Sequence, residues 1–216
     1  MCTLSISRTL FYFAAMDIAG IILAGGLGTR MGHVKKAFLT ISGRTILDRL
    51  LAVYRPLFSE ILIAARDKDD YGAYDLPVAE DRFPARSSMT GIHAGLTAMR
   101  ASHGFMAACD GPFLQSGLVR ALLAQAAPED DVVIPSKDDG YLEPLCAIYS
   151  KRCIPHIEAQ LDQENYRIVS FFERVRVKPV PVSLLQAGDP HHISFFNVNS
   201  PDDLRQAERL AAELGV

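Results

Sequence analysis

Ile21-Ile22-Leu23-Ala24-Gly25-Gly26-Leu27-Gly28-Thr29-Arg30-Met31-Gly32, with Lys36 four residues on, is the stretch of this 216-residue chain whose reading decides the fold. The apolar, β-branched run that begins at Ile18 and ends at Leu23 predicts a strand. It passes into a loop almost without side chains. Glycine lets a backbone come close to a ligand and turn several N–H groups toward one anion. Arg30 and Lys36 then add positive charge beside that loop. Such a loop at the carboxyl end of a first strand predicts a polyphosphate site.

Two familiar phosphate loops do not fit. A P-loop needs G-x-x-x-x-G-K-[ST], but Gly28 is followed by Thr29-Arg30-Met31-Gly32-His33, and no Lys-Ser or Lys-Thr pair occurs. The dinucleotide fingerprint G-x-G-x-x-G fails as well, because Met31 stands where the third glycine belongs.

Outward from this loop, strand-like and helix-like runs alternate. Strands are expected at 18–23, 61–65, 105–109, 132–135, 145–149 and 175–182, and helices at 46–54, 90–102, 116–126, 151–161 and 201–214. In the last helix Ser200 is the expected N-cap, Pro201 takes the first position, and Asp202 and Asp203 suit the positive helix start. This alternation predicts an α/β domain around a mainly parallel sheet, with ligands gathered at the carboxyl ends of strands. One domain over 16–216 accounts for the length.

The glycine-rich stretch resembles the signature L-A-[AG]-G-x-G/S-x-R-[ML], followed by a lysine, of nucleotidyltransferases that join an NTP to a phosphorylated small molecule. The Arg30-to-Lys36 spacing, the Met31-Gly32 pair and the double glycine Gly25-Gly26 resemble the molybdenum cofactor guanylyltransferase (MobA-like) branch. The resemblance implies a Rossmann-like three-layer α/β/α fold. It also implies GMP transfer from GTP to the terminal phosphate of molybdopterin, with pyrophosphate released and Mg²⁺ as cofactor. Leu23, Ala24, Gly25, Gly26 and Gly28 would hold the nucleotide, and Arg30 and Lys36 would neutralise its triphosphate. A related enzyme using CTP, or a sugar or polyol phosphate acceptor, remains open. So does a module that binds nucleotide without turnover.

Further residues extend the resemblance. Cys109-Asp110-Gly111-Pro112 directly follows a predicted strand, so Asp110 is expected at a strand's carboxyl end, where it would hold Mg²⁺. Asp81 and Gly91 match the family's second acidic residue and a glycine at a helix start. Between them, Ser87-Ser88-Met89-Thr90 departs from the usual Gly-Pro-Leu-x. Glu143-Pro144-Leu145 resembles the wall of the family's acceptor pocket. Asn197 and Asn199, two apart, would share one side of an extended segment and offer donors and acceptors to the acceptor. His33, Lys35 and Ala65 stand where the family shows glycine, aspartate and asparagine, respectively. Lys35 is expected to add charge for the triphosphate.

Composition sets the remaining bounds. A net charge of −3 gives no electrostatic footprint for nucleic acid. No apolar run approaches the roughly 20 residues of a membrane span. Cys2, Cys109, Cys146 and Cys153 have neither CxxC nor zinc spacing, and read as reduced thiols of a cytoplasmic protein. Residues 1–15 carry only a weak imitation of a signal peptide and are expected to be an extension or an upstream start, without a role of their own.

Overall fold

The computed structural model describes residues 16–25, 27–28 and 34–216. The expectation for residues 1–15 lies outside them. Among the described residues, eleven strands and six α-helices follow in chain order: β1 (Ile18–Leu23), β2 (Leu27–Gly28), β3 (Val34–Lys35), β4 (Thr40–Ile41), β5 (Arg44–Thr45), α1 (Ile46–Tyr54), β6 (Ile61–Ala65), β7 (Val78–Glu80), α2 (Ser88–Ala98), β8 (His103–Ala108), α3 (Ser116–Leu123), β9 (Val132–Ser136), β10 (Cys146–Ser150), α4 (Ile154–Leu161), β11 (Val177–Pro181), α5 (Val182–Leu185) and α6 (Pro201–Leu214).

Seven strands form the main sheet in the order β11-β9-β10-β8-β1-β6-β7. β7, β6, β1 and β8 run parallel, as do β11 and β9, whereas β10 is antiparallel to both of its neighbours. The chain leaves β1 toward β6 on one side and returns later to lay β8 on the other. The carboxyl ends of β1 and β8 thus form a topological switch point, where open α/β sheets take their ligands. Leu23 lies opposite Ala108 in the register, and the Cys109 N–H donates to Leu23 O at 3.0 Å.

Alternation along the strands divides the core into two apolar layers. Ile22, Ile63 and Phe105 pack with α1, α3 and α6 on one face, and Ile21, Leu62 and Met106 pack with α2 and α4 on the other. This is the three-layer α/β/α arrangement. Each fully buried Ile or Phe contributes about 1.5–3 kcal/mol of transfer free energy. Gly95 of α2 permits a close approach to the sheet, since a Cβ there would stand 2.6 Å from Ile21 Cγ2. That contact brings the amino end of α2 down beside the mouth of β1.

The C-terminal loop is pinned just as tightly. Gly188 rests on Gly117 at the start of α3, where an added Cβ would lie 2.2 Å from backbone carbon. Buried Asp189 then accepts from the N–H groups of Ile193 (3.1 Å) and Ser194 (3.0 Å). These contacts fix the path of the segment that carries Asn197 and Asn199. Ser200 caps α6 in a reciprocal capping box with Asp203, and Pro201 occupies its first turn. Among the described residues no helix is long and apolar enough to cross a membrane.

Candidate active site

Three elements deliver the central side chains. The short helical turn Lys36–Phe38 is anchored by buried Ala37 and by Phe38, whose ring stacks 5.4 Å from that of Tyr71. Lys36 Nζ is thereby held 2.6 Å from Asn199 Oδ1 and 3.3 Å from Asp110 Oδ2. Asp110 follows β8, and its carbonyl accepts from the Val198 N–H at 2.8 Å. Val198 is fully buried between exposed Asn197 and Asn199, so both amides lie on one side of the segment. Asp203 accepts from the backbone of Asn199 at 2.8 Å, and that N–H is the largest influence holding its carboxyl below the usual range. Residues 36, 110 and 199 are far apart in sequence and meet here.

Two cavities converge on Asp110. The larger, about 550 Å³, runs over the ends of β1, β6 and β7 and reaches Leu23, Gly25, Lys36, Asp81 and Gly91. The smaller, about 130 Å³, lies over β8 and β10, with Glu143, Pro144, Leu145 and Asn197 on its wall. Asp110, Ala108 and Leu145 line both. A third hollow of about 300 Å³ adjoins the larger cavity across Gly25 and Arg66.

Leu23, Gly25, Lys36, Asp81, Gly91 and Asp110 thus gather around one cavity, Asn197 lines the smaller one on the other side of Asp110, and Asn199 lines neither but accepts from Lys36. Ala24 is buried: its N–H donates to Ala64 O at 2.8 Å and its carbonyl accepts from Tyr71 Oη at 3.0 Å. It shapes the loop, and its amide is engaged by the sheet. Gly28 sits in the β2–β3 ribbon, paired with Val34. Gly26, Arg30 and His33 lie outside the described residues. The charge expected from Lys35 is redirected: Lys35 pairs with Asp70, away from Lys36. Ser87, within the stretch that departs from the family pattern, caps α2 by accepting from the Thr90 N–H at 3.2 Å. The amino end of α2, with no acidic residue in its first turn, faces the larger cavity through Ser88 and Gly91, and such an end favours anions. His191 and His192 lie exposed in a loop. The sequence reading missed Arg66 and Arg86, which line the larger cavity.

Asp81 is the electrostatic exception. Its Oδ2 accepts from Thr90 Oγ1 at 3.1 Å, while Oδ1 is buried with no partner among the described residues. Burial raises its carboxyl above the usual range, opposed by the Thr90 hydroxyl, Arg66 and His93. An acid whose pKa is raised by folding adds most to stability below its unfolded pKa, about 4, and loses that contribution as pH rises through the folded value. Asp81→Asn, which keeps an acceptor for Thr90, is therefore expected to raise the melting temperature of the ligand-free protein at neutral pH by roughly 2–4 °C. It should also flatten the fall in stability above about pH 4. Thermal melts across that range compare the two proteins, and coincident curves would contradict the buried, unpartnered carboxylate.

A glycine-containing turn after β1 at the switch point, a lysine–carboxylate pair beyond it and two cavities meeting at that carboxylate fit a nucleotidyltransferase. The profile of the MobA-like NTP transferase domain matches residues 20–178, and the chain belongs to that family. It is 38% identical over 191 residues to a molybdenum cofactor guanylyltransferase of Desulfosudis oleivorans, covering 88% of this chain and 94% of the relative. The crystal structure of molybdopterin-guanine dinucleotide biosynthesis protein A from Archaeoglobus fulgidus is similar with a TM-score of 0.80 at 30% identity, covering 91% of this chain and all of that one. Rv0371c of Mycobacterium tuberculosis, solved in complex with manganese, shares the fold with a TM-score of 0.64 at 18% identity, covering 90% of this chain and 99% of that one.

Proposed function

We propose that the protein is a molybdenum cofactor guanylyltransferase, transferring GMP from GTP to the terminal phosphate of molybdopterin and releasing pyrophosphate. The observation that carries this reading is the meeting of two cavities at one carboxylate, Asp110, with Lys36 beside it. GTP takes the larger cavity and the acceptor the smaller, so their phosphates meet at Asp110.

An oxygen of the acceptor phosphate attacks the α-phosphorus, the bond from that phosphorus to the bridging oxygen breaks in line, and its electron pair leaves with pyrophosphate. A phosphate monoester, with its second pKa near ~6, is already ionised at neutral pH and needs no general base. Catalysis then rests on positioning and charge neutralisation. Lys36, joined by Arg30 of the signature loop, neutralises the triphosphate. Gly25, Gly26 and Gly28 let the loop backbone approach the nucleotide, and Asn197 and Asn199 hold the acceptor phosphate.

Mg²⁺, when bound, polarises the phosphoryl oxygens. It takes one or two carboxylates together with substrate phosphates. Asp110 suits that donor set: Oδ2 meets Lys36, and Oδ1 makes no hydrogen bond among the described residues.

We assign recognition of the base to the Asp81 carboxylate, which lines the larger cavity. Guanine turns two adjacent donors, N1–H and its 2-amino group, toward a carboxylate, whereas the pairing edges of cytosine and adenine each offer a single amino donor. The free, buried Cys109, Cys146 and Cys153 suit a reducing cytoplasm. Calorimetric titration with GTP, CTP, ATP and UTP in Mg²⁺ tests the assignment of the base. GTP is expected to bind at least about tenfold tighter, a difference of roughly 1.4 kcal/mol. Equal or tighter CTP binding would overturn the guanine assignment.

A further inference from the structure

Thr90 is fully buried in the first turn of α2, and its hydroxyl stands between two acceptors. Oγ1 lies 2.7 Å from the Ser87 carbonyl oxygen and 3.1 Å from Asp81 Oδ2. A hydroxyl carries one proton, whereas a carbonyl and an ionised carboxylate only accept. Both contacts are hydrogen bonds together in one way only: Asp81 carries a proton on Oδ2 and donates it to Thr90 Oγ1, while Thr90 donates to Ser87. When Asp81 ionises, the charge-assisted bond is the stronger, and the hydroxyl turns from Ser87 to Oδ2. Ser87 is the N-cap of α2, so its carbonyl still accepts the first bond of the helix. Thr90 thus has a hydrogen bond for either state of Asp81.

Oδ2 is also the oxygen beside the nucleotide loop: a Cβ added to Gly25 would stand 3.9 Å from it, whereas Oδ1 is buried. The proton on Oδ2 decides what the larger cavity presents there. A carboxylate offers acceptors only, which suits the N1–H and 2-amino donors of guanine. A neutral acid offers one donor and one acceptor, which suits the ring nitrogen and amino group of cytosine. Arg66 after β6 and His93, one turn along α2 from Thr90, act on Asp81, and both favour its ionised form. His93 Nε2 lies 2.9 Å from Glu158 of α4. Lys36, Arg86 and Asp110 line the same cavity, and the neighbouring Glu80 of β7 pairs with Lys68.

We propose that Thr90 is a positioning residue for base selection, its hydroxyl holding Asp81 Oδ2 as an acceptor for guanine. This rests on the assignment of the base to Asp81 above and names the residue that sets the state of that carboxylate. Guanine binding at acid pH displaces one proton from Asp81 to solvent as the hydroxyl turns from Ser87 to Oδ2. The preference for GTP over CTP is therefore full above the folded pKa of Asp81 and falls as pH falls through it. Removing the hydroxyl takes a stronger bond from the ionised form than from the neutral one, so the fall moves to higher pH.

The ratio of GTP to CTP affinity, in which titration of the triphosphate cancels, measures this on the intact protein. Calorimetric titrations with each nucleotide in Mg²⁺, without acceptor, run from about pH 5 to about pH 8.5. In the parent the ratio is expected to fall tenfold or more from the alkaline to the acid end. Thr90→Val, which keeps the shape of the side chain, is expected to move the midpoint up by about one pH unit or more. At the alkaline end its ratio should stay within threefold of the parent's. Thr90→Ser, which restores the hydroxyl, is expected to return the midpoint to within about a third of a unit. Asp81→Asn is expected to give a low ratio that does not change with pH. A flat parent ratio, a Thr90→Val midpoint equal to the parent's, or a Thr90→Ser midpoint equal to that of Thr90→Val overturns the role of Thr90. An Asp81→Asn protein that keeps the parent's ratio would instead remove the base assignment itself, which an unchanged Thr90→Val profile leaves standing.

Discussion

Asp110→Ala is expected to lower GMP transfer by about a thousandfold or more, equivalent to roughly 4 kcal/mol of transition-state stabilisation, while leaving the fold intact. The two halves of that expectation have separate causes. The side chain of Asp110 is partly exposed and, among the described residues, pairs only with Lys36, so its removal takes nothing from either apolar layer. Its backbone does the structural work: the carbonyl receives the Val198 N–H, and that bond survives truncation. The carboxylate, by contrast, is the one acidic group lining both cavities where their substrates meet. Glu143 and Asp81 each stand in only one of them and are turned to other tasks. Turnover should therefore disappear at every concentration of Mg²⁺ or Mn²⁺, with the melting temperature within a few degrees of the parent. Steady-state assays of pyrophosphate release across a metal titration make the measurement. A variant that recovers full turnover at high metal would place the metal ligand elsewhere.

What the sequence discloses here depends on whether a property is local. The bounds of β1, α1 and α6 coincide with those expected, because each is marked by its own residues: a β-branched run, an apolar face, and the Ser200-Pro201 start with its capping aspartate. β7 has three residues, and β2 to β5 have two each, too few for any periodicity to register. α2 begins at Ser88 rather than 90, because Ser87 supplies the cap, and it ends at Ala98 ahead of the turn into β8. The direction of β10 could not be read. Its residues Cys146 to Ser150 are all buried, and a strand covered on both faces shows the same apolar run whether parallel or antiparallel. At the site, Asp110 was legible from its position after a strand. The partner of Lys35 was not, since Asp70 lies 35 residues away and no local pattern joins them. Tyr141, Arg66 and Arg86 became visible only as cavity walls.

Lys36→Ala should separate two affinities that a purely structural lysine would leave coupled. In the ligand-free protein its ammonium lies between Asp110 and Asn199, with its side chain only 15% exposed. A triphosphate entering the larger cavity brings up to four negative charges toward this point, and Lys36 is the described cation that lines the cavity beside Asp110. Its removal is expected to weaken GTP binding about tenfold or more and to lower kcat by a further factor of about a hundred, together roughly 4 kcal/mol. The same change leaves Asp110 without a positive partner. Its attraction for a free divalent cation should then be undiminished or stronger, because an opposing charge has gone. Metal binding to the ligand-free variant, followed by Mn²⁺ titration, is thus expected to hold or tighten while nucleotide binding falls. Lys36→Arg should restore charge but little turnover, because a planar guanidinium does not reproduce the compact ammonium that meets both Asp110 Oδ2 and Asn199 Oδ1. If metal and nucleotide affinities fall together, the lysine serves to build the pocket, and the exchange of its partner from carboxylate to phosphate is wrong.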